Sequence, residues 1–69
     1  MTRFEVGVFN QQVRDLVCNG KSHQDLTDDW AERHIIEVKA HDKDGAMARI
    51  RARYPEHSGF VISDILQLD

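Results

Sequence analysis

Residues 34–41 alternate between two kinds of side chain, and this alternation restricts the fold of the chain more than any other feature. The odd-numbered positions are mostly polar, with Glu37 and Lys39 at the centre. The even-numbered positions form the other face, which consists of His34, Ile36, Val38 and Ala40. A period of two predicts a β-strand with one buried face. We expect the rest of the fold to cover that face.

A helix and a further strand are predicted directly after this strand. Asp42 is a suitable N-cap and Pro55 a natural stop, so about a dozen residues between them are expected to be helical. Ala46, Met47 and Tyr54 fall within about 60° of Ile50 on a helical wheel, which predicts the core-facing stripe. Residues 60–68 are dense in apolar side chains and predict a last strand. Its alternation slips at residues 63–64, which indicates a β-bulge.

The first part of the chain predicts another strand and a short helix. Residues 3–9 alternate, with Phe4, Val6 and Val8 on one face. Asn10 is a fair N-cap for a helix over residues 10–19, and Gly20 is a natural residue after its end. Without this short helix, the order would be ββαβ.

These elements predict one small α+β domain over residues 1–69. The order is β-α-β-α-β, with a three-stranded sheet and one main helix packed on one face. The helix after the middle strand must run back along the sheet, so we expect the last strand to be parallel to the middle one. The first strand is expected between them, antiparallel to both.

Size and composition exclude several classes of protein. A chain of 69 residues buries only about 60% of its unfolded surface, which leaves little room for a deep pocket. Nine basic and 12 acidic residues give a formal charge of −3. No apolar run is long enough to span a bilayer, and no signal peptide is recognisable. A single cysteine, Cys18, is typical of a reducing compartment, so we predict a cytoplasmic protein without membrane contact.

The sequence does not support catalysis or metal binding. Cys18 and His23 have a spacing found in zinc sites, but no second pair follows them. His34 and His41 fall on opposite faces of one strand. No strand-to-helix turn surrounds a nucleophile, and no glycine-rich phosphate loop occurs. We therefore predict a non-enzymatic protein without catalytic residues, cofactor or metal.

A basic helix is the first candidate for a binding surface. It carries four cations, which are Lys43, Arg49, Arg51 and Arg53. On the wheel, Arg49 and Arg53 flank one side of the core stripe, and Arg51 flanks the other. Small residues separate them on the outward face, so another surface could approach closely while arginine pairs with its acids. Alternatively, alanine simply favours the helix and arginine solvates it, or the first helix packs there.

An acidic loop over residues 25–32 is the second candidate. Its predicted contacts are Asp28, Asp29 and Trp30. An exposed tryptophan among acids is a typical interface anchor. Trp30 could instead close the edge of the core, and the loop could pair with the basic helix of the same chain.

The layout of residues 35–68 resembles a known group of proteins. An alternating strand is followed by Ala40, Asp42 and Ala46, then by Tyr54 and Pro55, a glycine turn and a strand. This layout is similar to small ββαβ anti-CRISPR proteins of phages and mobile elements, which bind type I CRISPR surveillance complexes. The resemblance implies a stoichiometric inhibitor without catalysis. The matching helix residues are Lys43, Arg49, Arg51 and Arg53.

The leading hypothesis is a protein-binding domain, with a larger protein or ribonucleoprotein as its partner. The first alternative is a nucleic-acid-binding accessory protein of a phage or mobile element, although the negative charge and the few aromatic residues argue against direct nucleic-acid contact. The second alternative is a small homodimeric regulatory subunit. An apolar edge strand recruits partners, and a second copy would enlarge a small core.

Overall fold

The structure, a computed structural model, describes residues 1–68. Its elements along the chain are β1 (Thr2–Asn10), α1 (Gln11–Cys18), a 3₁₀ turn (Asp28–Ala31), β2 (His34–Ala40), α2 (Lys43–Arg53), a second 3₁₀ turn (Glu56–Ser58) and β3 (Phe60–Gln67). The predicted β-α-β-α-β order of a small α+β domain is confirmed, and the short first helix is present.

The three strands form one sheet in the order β2-β1-β3. Both outer strands are antiparallel to β1, so they run parallel to each other at the two edges. Asp64 lies opposite Gly7 but Ile62 lies opposite Val8, which leaves Ser63 without an opposite residue. This is the bulge that the broken alternation predicted.

The inner face of the sheet, on the side of α2, carries the core. Val6 and Val8 have no exposed surface, and Phe4 is almost fully buried. Ala46 and Ile50 of α2 complete this buried cluster, as the wheel predicted. Half-buried apolar residues of the two outer strands pack around it, namely Ile36, Val38, Phe60, Ile62 and Ile65. The hydrophobic alternation therefore decides which face of the sheet the helix covers.

Asparagine and aspartate side chains begin both helices, as predicted. Asp42 Oδ1 accepts a hydrogen bond of 2.7 Å from the Gly45 N–H, and Asn10 Oδ1 accepts one of 3.0 Å from the Val13 N–H. Each bond satisfies a backbone donor that the helix itself cannot pair. Thr27 precedes the 3₁₀ turn Asp28–Ala31, but its side chain forms no capping hydrogen bond there.

Among residues 1–68, no helix covers the outer face of the sheet around Gly7. At its centre, Arg33 and Asp64 form a bidentate ion pair, with both N–O distances 2.7 Å. A Cβ atom at position 7 would overlap side-chain atoms of Arg33, Ser63 and Asp64, which shows that the pair lies directly over Gly7. The pair thereby joins β3 to the residue just before β2, across the middle strand. Ile35 and Leu66 are about half exposed on the same face.

Candidate functional site

Helix α2 presents the predicted basic residues from a fixed position on the inner face. It packs on β2 and β1, and its buried residues Ala46 and Ile50 set its rotation. All four cations of the basic helix are exposed. The helix is therefore held by its apolar side, and its charges face solvent.

The arginines of α2 are divided between two clefts. Arg49 and Arg53 line a cleft of about 300 Å³ beside β2, together with Ile36 and Val38. Arg51 lines a separate cleft of about 220 Å³ beside β3. This division confirms the wheel, on which Arg49 and Arg53 lay on one side of the core stripe and Arg51 on the other.

These cations have no acidic partner among the residues that the structure describes. Within residues 1–68, neither Lys43 nor any arginine of α2 forms an ion pair. The guanidinium of Arg53 lies 5.8 Å from the centre of the Tyr54 ring, at the edge of cation–π distance. The expected alternative of pairing between the acidic loop and the basic helix is therefore absent from the described residues.

The outward face of α2 between the arginines is open. Ala48 and Ala52 are both exposed, so α1 does not cover them as one alternative proposed. Helix α1 instead packs against the 3₁₀ turn Asp28–Ala31. Arg14 fixes this contact, since its Nε–H donates to the Ala31 carbonyl at 2.8 Å and its guanidinium lies 3.7 Å from the centre of the Phe9 ring.

Trp30 is a structural anchor of the acidic loop. Its ring stacks on His34 with a centroid distance of 4.2 Å and meets Phe60 edge-on at 5.2 Å. A third contact, to Tyr54 at 5.5 Å, places the loop near the C-terminal end of α2. Trp30 is half-buried against the core, so the expectation that it closes the core edge is confirmed.

The acids beside Trp30 remain at the surface. Asp28 and Asp29 are exposed, and Asp28 accepts only a long hydrogen bond of 3.5 Å from Ser22. The structure thus separates the three predicted loop residues, with the tryptophan turned to the core and the two carboxylates to solvent.

The ion pair between Arg33 and Asp64 lies on the outer face of the sheet, and Arg33 directly follows the acidic loop. The hydrogen bond from Arg33, followed by that from Ser63, lowers the pKa of Asp64 to about 2. The same bond to Asp64 raises the pKa of Arg33. Both side chains are about half exposed, so water screens the interaction between their charges.

Two polar residues have structural roles that the sequence did not predict. Nδ1 of His23 accepts hydrogen bonds from the N–H groups of Asp25 and Leu26, at 3.0 and 3.1 Å, and shapes the start of the acidic loop. Asn10 was recognised only as a cap, but its Nδ2–H also donates to the Ser58 carbonyl at 3.0 Å. The asparagine thus ties α1 to the turn before β3.

Cys18 and the histidines of the described residues belong to no cluster that could hold a metal ion. Cys18 is exposed at the end of α1. Among residues 1–68, no group of three or more histidine, cysteine, aspartate or glutamate side chains is close enough to hold a metal ion. None of the helices in this described part combines the length and apolar character needed to cross a bilayer.

Comparison with known proteins assigns no family to this chain. No protein-family model, curated protein or solved structure matches the chain. The surfaces of the molecule are therefore the basis for proposing its function.

Proposed function

We propose that this chain is a small non-enzymatic protein-binding domain that engages an acidic surface of a larger protein or ribonucleoprotein through Arg49 and Arg53, on one side of the basic helix. The proposal is supported by the two arginines on the side of α2 that lies next to β2. Arg49 and Arg53 are exposed there, lack ionic partners among residues 1–68, and border a cleft with an apolar floor. Glu37 also lines this cleft but forms no ion pair with either arginine, so both guanidinium groups can pair with acids outside the monomer.

The physical chemistry of arginine supports this choice of contact. A guanidinium forms two parallel hydrogen bonds to a carboxylate and is weakly hydrated, so it is well suited to interfaces. The exposed Ala48 and Ala52 add little bulk, which allows a partner to approach the helix closely. A larger partner would therefore reach Arg49 and Arg53 without rearrangement of the fold.

A second contact is proposed at the acidic loop. Asp28 and Asp29 would meet basic groups of the partner, while Trp30 holds the loop in place through its ring contacts. Because Trp30 also contacts Tyr54 at the end of α2, both surfaces belong to one end of the molecule. The partner that the resemblance suggests is a CRISPR surveillance complex, and the stoichiometric inhibition of such a complex is the more specific form of this proposal.

Affinity capture with charge-reversed variants tests the proposal. The tagged protein, incubated with a lysate of its native host, should retain a large partner, and Arg49→Glu and Arg53→Glu should lose it. Arg51→Glu is the matched control, because Arg51 lies on the other side of the same helix. Circular dichroism should show the same fold for all variants. Equal capture by the wild type and both test variants would refute this binding site.

A further inference from the structure

The free edge of β2 has a regular row of unpaired backbone groups. The Leu68 N–H donates to the Arg3 carbonyl at 2.9 Å, which shows that Arg3 turns its backbone groups toward β3. In antiparallel pairs this direction alternates along the strand. Even-numbered residues of β1 therefore bond to β2, where their partners are also even-numbered, such as Val38 opposite Phe4. The backbone groups at the outer edge belong to Ile35, Glu37 and Lys39.

The edge formed by β3 differs in this respect. Its pairing with β1 is interrupted at Ser63, where the bulge shifts the register. A bulge reverses the alternation of the backbone groups and twists the strand, which opposes the addition of another strand. The β2 register runs without interruption from His34 to Ala40. Of the two edges, β2 is the one that can accept a continuous fourth strand.

A strand added beside β2 would direct alternate side chains into the arginine-lined cleft. Side chains opposite Ile36 and Val38 would lie on the inner face, where these two residues and Ile50 form the apolar floor. Arg49 and Arg53 stand above it, four positions apart on α2. Four residues of helix advance about 6 Å, and two residues of strand advance nearly 7 Å. The two guanidinium groups therefore match the spacing of alternate residues in an added strand.

We propose that the partner segment is an extended acidic peptide that adds to the β2 edge as a fourth strand, with glutamates at alternate positions under Arg49 and Arg53. This inference rests on the proposed function and specifies the chemistry of its partner. The glutamate methylenes would pack on the apolar floor, and the carboxylates would pair with the two guanidinium groups. Backbone hydrogen bonds would provide affinity, and the cleft would provide specificity.

A synthetic peptide as long as β2, with seven residues that alternate between glutamate and threonine, tests this proposal by NMR. Millimolar peptide should shift the amide signals of Ile35, Glu37 and Lys39 and slow their hydrogen exchange. Arg49→Glu should weaken binding about tenfold, as the loss of one charge-assisted contact predicts, and Arg51→Glu should leave the affinity unchanged. A peptide with lysine in place of glutamate should not bind.

The backbone contribution is tested separately by Glu37→Pro. Proline is tolerated on an edge strand where its nitrogen faces solvent, so this variant should fold and lose peptide binding. The acidic peptide methylated at alternate backbone nitrogens gives the same test without any change to the protein, and it should not bind either.

The outcomes distinguish this inference from the proposed function. No peptide binding at millimolar concentration would overturn strand addition, as would amide shifts confined to α2 with unchanged exchange along β2. If capture of the large partner still depends on Arg49 and Arg53 in that case, the proposed function stands and only strand addition fails. If capture is indifferent to both arginines, the proposed function itself fails.

Discussion

The two faces of the sheet are stabilised by different forces, although they share the same three strands. On the inner face, Val6 and Val8 are removed from water by the packing of α2. On the outer face, the residue between them is Gly7, and the ion pair of Asp64 in β3 with Arg33, just before β2, lies across it. One face is held by apolar burial and the other by a directed polar contact.

This difference predicts unequal responses to mutation. Buried apolar contacts account for most of the stability of a small domain, because each buried methylene contributes about 0.8 kcal/mol. A half-exposed ion pair contributes little because water screens it. The inner face should therefore determine whether the chain folds, and the outer face should determine how its surface is arranged and how it responds to pH.

The largest effect is expected at Val6. Val6→Ala removes two methyl groups from a site with no exposed surface and leaves a cavity, so unfolding should become easier by about 2 kcal/mol. Leu66→Ala is the matched control on the outer face, where the side chain is 55% exposed, and it should cost less than about 1 kcal/mol. Urea unfolding midpoints measure both values.

Equal losses for the two variants would contradict the comparison. They would indicate that the outer face is also covered in solution, and a second copy of the chain is then the natural occupant. A midpoint that rises with protein concentration would identify such a dimer.

The inner face could be predicted from the sequence because its signals are local and periodic. The alternation at Phe4, Val6 and Val8 needs only a period of two, and the stripe around Ile50 needs only the helical period. Likewise, Asp42 is recognisable as a cap from its position before the helix. The division of the arginines between the two sides of α2 follows from the same wheel.

The ion pair of the outer face and the contact between the start of α1 and the turn before β3 could not be predicted, because both join distant parts of the chain. Arg33 and Asp64 are 31 positions apart, and Asn10 and Ser58 are 48 apart. Nothing around either member of these pairs indicates the other. The only local signal was the broken alternation at residues 63–64, which located the bulge without revealing that Asp64 accepts an arginine. An ion pair of Arg49 within the chain would also join residues that are distant in sequence, so its absence among the described residues could not be predicted either.

A smaller effect is expected from the titration of Asp64. Its pKa is about 2 in the folded protein, against 3.8 for an ordinary aspartate. The carboxylate is favoured by folding, so its stabilisation is present above about pH 4 and is lost as the pH falls toward 2. The wild type should therefore be more stable than Asp64→Asn at pH 5, and this difference should shrink by pH 2. Urea midpoints at both pH values measure it, and a constant difference would contradict the assignment.

The smallest effect on stability is expected at Gly7, although it tests the outer face most directly. In Gly7→Ala, the new Cβ would overlap the ion pair, and the half-exposed side chains of Arg33 and Asp64 should move aside without unfolding the strand. Alanine also suits a strand better than glycine, by about 0.5–1 kcal/mol, which offsets part of the loss.

The decisive measurement for Gly7→Ala is the pKa of Asp64, obtained by NMR titration of its carboxyl carbon. Separation from Arg33 should raise this pKa from about 2 toward 3.8. Gly45→Ala is the control, because Gly45 lies in α2 on the opposite side of the sheet and should leave the Asp64 pKa unchanged. If Asp64 keeps its low pKa beside an alanine at position 7, close approach at this glycine is not what allows the pair to form. The outer face would then owe its arrangement to the β3 bulge, which turns Ser63 and Asp64 toward Arg33.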